Sequence, residues 1–208
     1  MSALVNSSIV FVIRDNNPEM YTPDFFRDFQ IFPEDYKIQP IVNIPPLSQI
    51  RFGRQYRLEA VENRLMLECN YSPPFEAEQQ ELPDMLVSVG KKLLEILRTQ
   101  SFSAIGINFR FHSTGNDMTI LNVELPESAR LKKLAYQVDD DPFRVTVELE
   151  DAFEKDSQQA FVRSNLNFHG DVSTERPRPK RAELAAQYLS LREQCFAKGR
   201  ELLRASGL

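Results

Sequence analysis

Residues 47–71, LSQIRFGRQYRLEAVENRLMLECNY, decide the fold. Ile50 and Phe52, then Tyr56, Leu58 and Ala60, then Leu65, Leu67 and Cys69 take alternate positions, with Arg51, Arg57, Glu59, Met66 and Glu68 between them. A period of two sends successive side chains to opposite faces of a strand, so each run has one apolar and one wet face. Gly53-Arg54 and Glu62-Asn63 break the runs with short polar turns of the kind that join antiparallel neighbours. The stretch therefore predicts an antiparallel meander.

Upstream, Ile38, Ile41, Val42 and Ile44 lead into Pro45-Pro46 and extend the meander. Ser8 to Arg14, rich in β-branched residues and stopped by Asp15-Asn16-Asn17-Pro18, predicts a first strand. Thr22-Pro23-Asp24 has the N-cap and first-turn proline of a helix start, and the short helix it opens carries Phe25, Phe26 and Phe29 before Pro33.

Downstream, the proline-rich acidic stretch from Ser72 to Glu81 is expected to be a loop. Leu82-Pro83-Asp84 opens a helix to about Thr99, with Met85, Leu86, Val89, Leu93, Ile96 and Leu97 at steps of three and four. Gly90 in that helix would permit close approach to a sheet. Ile105, Ile107, Phe109 and Phe111 alternate again, and Thr114 to Asn116 suits a turn. Asp117 to Tyr136 is ambiguous: Pro126 divides it, and Glu127 to Tyr136 has helical character. After Asp139-Asp140-Asp141-Pro142, Phe143 to Leu149 and Ala160 to Phe168 have the period of adjacent antiparallel strands. Glu175 to Arg181 is a basic extended connector. Leu184, Tyr188, Leu191, Cys195 and Leu202 then recur at helical spacing, flanked by Leu189, Phe196 and Leu203, with Gly199 as a weak point. No internal repeat is evident.

The sum is an α+β protein: a mostly antiparallel curved sheet with two main amphipathic helices, about 82–99 and 182–204, packed on one face. Residues 1–172 form the core domain, and 173–208 a basic linker plus a helix that docks on the core or on a partner. At 208 residues, 42% hydrophobic and 26% charged, the chain has the composition of an ordinary globular protein rather than a disordered or collagen-like one. Cys69 and Cys195 sit inside patterned apolar segments and are expected as reduced core thiols. The N-terminus lacks a basic leader, and the apolar run from Ile9 to Ile13 is far below the ~20 residues of a membrane span. A cytoplasmic protein is expected. Its net charge of −5 argues against bulk binding to nucleic acid or anionic membrane.

No catalytic or cofactor motif is legible. Seven glycines form neither Gly-x-x-x-x-Gly-Lys nor Gly-x-Gly-x-x-Gly, and Gly-x-Ser-x-Gly is absent. No metal site or cofactor is expected. His112 and His169 end predicted strands; if those strands are neighbours the imidazoles would converge near Asp117 or Asp171, although two surface histidines are the simpler account. Asp139, Asp140 and Asp141 are contiguous and miss the alternating pattern of a calcium loop, so a solvated turn is expected. Glu148, Glu150, Asp151 and Glu154 suit an edge strand kept soluble by charge.

Three surfaces remain. By parity Asn108, Arg110, Arg144, Thr146, Arg163, Asn165 and Asn167 share the polar sheet face, bordered by His112 and His169. Arginine and asparagine without matching carboxylates suit an anion or a partner's backbone, whereas an RNA-binding sheet would show more aromatic platforms than Phe161. Arg176, Arg178, Lys180 and Arg181, with Arg192, Lys198, Arg200 and Arg204, make the C-terminus locally basic, as a docking arm or as a solvated helix face. Met20, Tyr21, Phe25, Phe26, Phe29, Phe32 and Tyr36 form a dense aromatic cluster, mostly core with some exposed as an interface. The leading expectation is a non-enzymatic protein-interaction module: a subunit, adaptor or inhibitor in a cytosolic assembly, or a self-associating chain, using Tyr21, Phe25, Phe26, Phe29, the basic arm and Leu191. The alternatives are a nucleic-acid-associated protein, using residues 176–204 and the Arg/Asn face, and an enzyme with a dispersed His/Arg site.

Overall fold

The structure is a computed structural model and describes residues 2–34, 36–76, 82, 84–114, 132–154, 159–172 and 176–208. The strands are β1 (Ser2–Arg14), β2 (Ile38–Ile44), β3 (Leu47–Phe52), β4 (Tyr56–Val61), β5 (Arg64–Glu76), β6 (Ser101–Thr114), β7 (Lys133–Asp140), β8 (Phe143–Glu154) and β9 (Gln159–Asp171). The helices are α1 (Pro23–Asp28), α2 (Met85–Ile96), α3 (Arg178–Ser190) and α4 (Arg192–Ala205), with a 3-10 turn at Pro18–Met20. All the strand pairings are antiparallel, and the nine strands described lie in one sheet, in the order β2-β3-β4-β5-β1-β6-β9-β8-β7.

The order shows a repeated path. β1 lies at the centre, the chain jumps to the edge at β2, and the meander returns inward to β5 beside β1. β6 then lies on the other side of β1, the chain reaches the opposite edge at β7, and β8 and β9 return to pair with β6. Each return is followed by helix: α2 after β5, and α3 with α4 after β9. The sequence shows no such repeat, because the path is set by pairing and turn positions rather than by residue identity.

The meander forms as its alternation requires, with Leu58 paired to Ile50 and Leu67. The α1 start also follows the sequence, since Oγ1 of Thr22 accepts from the Phe25 amide at 3.2 Å.

Four expectations need correction. β5 continues through Ser72-Pro73-Pro74 to Glu76, pairing with the first residues of β1, so the segment expected as a loop is strand as far as Glu76. Lys133–Asp140 is strand rather than helix; Leu134, Tyr136 and Val138 are less exposed than their neighbours, at a strand's period. Of the other expected features here, the 114–116 turn beyond Thr114 and the segment from Asp117 to Leu131 lie outside the described residues. The expected connector is already helical at Arg178. The C-terminal helix is two helices that part at Leu191, not at Gly199.

Gly199 is a contact residue: a Cβ there would stand 3.2 Å from Cδ2 of Leu166. Gly90 plays the part expected of it, facing Cδ2 of Leu189 and Cζ of Phe11. The buried side of the last two helices is also rotated from the expected stripe. Ala182, Ala185, Leu189, Arg192, Cys195, Phe196, Gly199 and Leu203 are buried, whereas Leu184, Tyr188, Leu191 and Leu202 are half-buried.

The core follows the register. Tyr56 pairs with Cys69, Cys69 with Ser7, Ser7 with Phe109 and Phe109 with Leu166, one transverse row across five strands. Phe196 of α4 lies over this row, its ring 5.4 Å from Phe109 and 6.0 Å from Phe111. Each fully buried phenylalanine of this kind contributes about 1.5–3 kcal/mol relative to exposure. Both cysteines are buried and free.

Candidate functional site

The N-terminal aromatic cluster divides into a buried and an exposed part. Tyr21 and Phe26 are fully buried and belong to the core. The Tyr21 hydroxyl donates to Oδ1 of Asn16 at 2.7 Å, and Nδ2 of Asn16 in turn donates to the carbonyl of Val61 at 2.7 Å. Ring packing continues from Phe26 to Phe32 at 5.1 Å, Phe32 to Phe52 at 3.9 Å and Phe52 to Tyr56 at 5.4 Å, all stacked. Phe25 touches both Phe26 and Phe29, and Phe29 is 52% exposed.

The Phe26–Phe32 end of this ring stack lines a cleft of about 650 Å³ between α1, β2 and α2. Phe26, Phe32, Tyr36 and Ile38 supply its apolar wall, and Arg27, Lys37 and Lys92 bring positive charge against Glu34. Nζ of Lys92 donates to the Gln30 carbonyl at 2.7 Å, and Arg27 pairs with Asp24. Lys37, Arg51 and Arg54 have no ion-pair partner among the described residues. Beside the cleft runs the edge strand β2, which exposes Ile41 at 44% and Ile44 at 66%. Sequence alternation placed these isoleucines in a strand but gave no sign that the strand is an edge.

The polar sheet face is assembled as parity requires. Arg110 pairs with Asn165, Asn108 with Asn167, His112 with Arg163 and Arg144 with His169. It is not free of carboxylates, however. Glu148 and Glu150 have the same parity on β8; Glu150 lies 3.7 Å from Arg163 and Glu148 3.5 Å from Lys133. Glu68 accepts from Arg57 and from Nδ2 of Asn6. β8 is also not an edge, since β7 lies outside it, so its acids balance neighbouring cations rather than guard an edge. Phe161 is closed off as a platform: His112 packs on it at 4.3 Å and Arg163 at 5.9 Å.

β6 and β9 are neighbours, yet the histidines do not converge. His169 pairs with Gly106, six residues from His112 along β6, which is about 20 Å at the rise of a strand. Nε2 of His169 is 2.9 Å from Asp171. Among the described residues no group of three or more His, Cys, Asp or Glu side chains is placed to hold a metal. Asp139 and Asp140 end β7 and Asp141 begins the turn into β8, with Asp140 facing Lys198 at 3.9 Å.

The basic arm is partly tied down. Arg178 donates to the Thr99 carbonyl, Arg181 to the Arg176 carbonyl, and Lys180 pairs with Glu183. Leu191 is half-buried at the break between α3 and α4.

Arg192, expected on a solvated face, is 1% exposed. Its Nη2 donates to Oγ of Ser7 at 2.9 Å, and its guanidinium lies 5.8 Å from the Phe109 ring. The Tyr71 hydroxyl is 3.0 Å from the same Oγ. Burial pushes the Tyr71 phenol up to about 12, against the opposing pull of hydrogen bonding to Ser7. Burial likewise raises the Cys69 thiol to about 11 and the Cys195 thiol to about 12, so neither is an activated nucleophile. The signal for Arg192 was in the sequence: Cys195, Phe196, Gly199 and Leu203, stepped back by three and four, land on it.

A scan with models of protein families finds no match for this chain, and a search of curated proteins finds no match either.

Proposed function

We propose that the protein is a non-enzymatic interaction module, a subunit, adaptor or inhibitor that holds an acidic, extended segment of a partner protein at β2 and the adjoining cleft. One observation carries this reading. Of the four large hydrophobic side chains exposed among the described residues, Ile41 and Ile44 lie on β2 and Phe29 ends α1, which touches β2, while Phe153 stands apart on β8. Exposed apolar clusters of this kind mark interfaces. The cations Arg27, Lys37 and Lys92 beside them select a negatively charged occupant from an otherwise acidic chain's surroundings. An edge strand offers unpaired backbone groups, and an extended peptide can add to them as a further strand.

In this reading the sheet is curved, α2 and the C-terminal helices pack on one face, and residues 1–172 act as a core that the 173–208 segment braces. The site of action is the cytosol. No helix among the described residues is long and apolar enough to cross a membrane.

The test is substitution at the surface. Ile44→Asp and Lys37→Glu should each weaken binding of an acidic partner about tenfold or more while leaving the unfolding midpoint in place. Unchanged affinity in both would remove β2 from the interface.

A further inference from the structure

We propose that Arg192, Ser7 and Tyr71 form a buried receptor for a small oxyanion. A guanidinium stays protonated in proteins and presents five N–H donors in a planar fork suited to carboxylate or phosphate oxygens. Nη2 of Arg192 donates to Ser7 and the Arg192 side chain also hydrogen-bonds with Tyr71, while Nε and Nη1 are closed to solvent and have no hydrogen-bond partner among the described residues. The nearest carboxylate oxygen paired with it, Oε1 of Glu193, is 3.9 Å from Nη1 on a side chain that is 55% exposed, so its charge is largely screened by water. A buried donor left unsatisfied is destabilising, and more so when it is charged. The site calls for an anion.

The surroundings are built to hold one. Ser7 stands on the central strand, in register with Cys69 on one side and Phe109 on the other. The Phe109 ring supports the guanidinium. The Tyr71 hydroxyl meets Ser7 at 3.0 Å and adds a second polar group at the same point.

A surface hollow lies two strands from Ser7. It measures about 280 Å³ and is lined by Tyr36, Gly53, Arg54, Gln55 and Tyr56. Tyr56 is in register with Cys69, which is in register with Ser7, a distance of about 10 Å across two strand spacings. Arg54 is exposed at its rim. The helix break at Leu191 immediately precedes Arg192.

The experiment is thermal unfolding of the full chain at constant ionic strength, with chloride replaced stepwise by inorganic phosphate or by acetate. A saturable rise in midpoint is expected, following the logarithmic dependence of ligand linkage. A response to either anion upholds the receptor, and the stronger one fixes whether it prefers a tetrahedral or a planar group. Arg192→Met should abolish the response, and Ser7→Ala and Tyr71→Phe should each raise the half-saturating concentration about tenfold. If Arg192→Met fails to fold, the milder pair carries the test. An unsaturable change shared by chloride, phosphate and acetate would overturn the proposal, as would full responses in Ser7→Ala and Tyr71→Phe. Ile44→Asp should leave the anion response intact, so the outcome is independent of the β2 surface.

Discussion

Nη2 of Arg192 and Oγ of Ser7 lie 2.9 Å apart at the middle of the sheet, joining the last helix to the first strand across 185 residues. Neither side chain is open to water. The C-terminal segment is therefore held to the core by a charged anchor as well as by Phe196, Leu189 and Cys195. A charge buried without a full set of partners sets a tension between stability and specificity.

That tension is measurable. In chloride buffer without oxyanions, Arg192→Met should raise stability to urea by about 1–3 kcal/mol, because the thioether keeps the packing and removes the unsatisfied charge. A loss of stability would mean that the guanidinium is better satisfied than its contacts indicate.

The aromatic cluster should split along its burial. Phe26→Ala removes a fully buried ring between Tyr21, Phe25 and Phe32 and should cost about 3–5 kcal/mol. Phe29→Ala, at an exposed position, should change stability by less than about 0.5 kcal/mol. Equal costs in chemical denaturation would contradict the division into core and surface.

Gly170 is fixed by its neighbours. A Cβ there would stand 2.7 Å from Cδ2 and 2.9 Å from Cε2 of Tyr188, and 3.2 Å from Phe143. Ring atoms held on both sides cannot yield cheaply, so Gly170→Ala should cost about 1–3 kcal/mol. Adding Tyr188→Leu should recover part of that loss, a coupling that a double-mutant cycle reads directly.

Alkali should expose the buried thiols. With folded values raised above the ordinary 9.0 to about 11 for Cys69 and about 12 for Cys195, the folded chain retains protons that the unfolded chain releases. Their contribution is fully present below pH 9 and is lost as pH rises through the folded values. Stability should therefore fall from pH 9 toward pH 11, by on the order of 1 kcal/mol per pH unit for each thiol. Cys69→Ala should flatten the slope in urea titrations across that range, whatever it does to absolute stability.

Much of the sheet was legible in the sequence because alternation has one meaning where turns are close and polar, as from Leu47 to Tyr71. The signal failed where a punctuating residue served another purpose. Pro73 and Pro74 suggested a loop, but β5 continues through them beside the start of β1. Gly199 suggested a helix break and is instead a close contact with Leu166. Pairing order was not legible, which hid both the exposed edge at β2 and the separation of His112 from His169. At Arg192 residue type and position conflict: a cation suits water, yet its helical spacing places it with Cys195 and Phe196. Glu148 and Glu150 were set apart as edge charges, so their matching of Arg163 and Lys133 emerged only from the register.

The β2 surface is tested most directly by a photo-crosslinking residue placed at Ile41, compared with the same residue at Thr146 on the polar sheet face. Both positions are accessible on the sheet, but only Ile41 adjoins the proposed binding edge. Incubation with an acidic partner chain should give an adduct from position 41, suppressed by Ile44→Asp, and little from position 146. Crosslinking confined to position 146, or equal yields at the two that Ile44→Asp does not change, would contradict binding at β2.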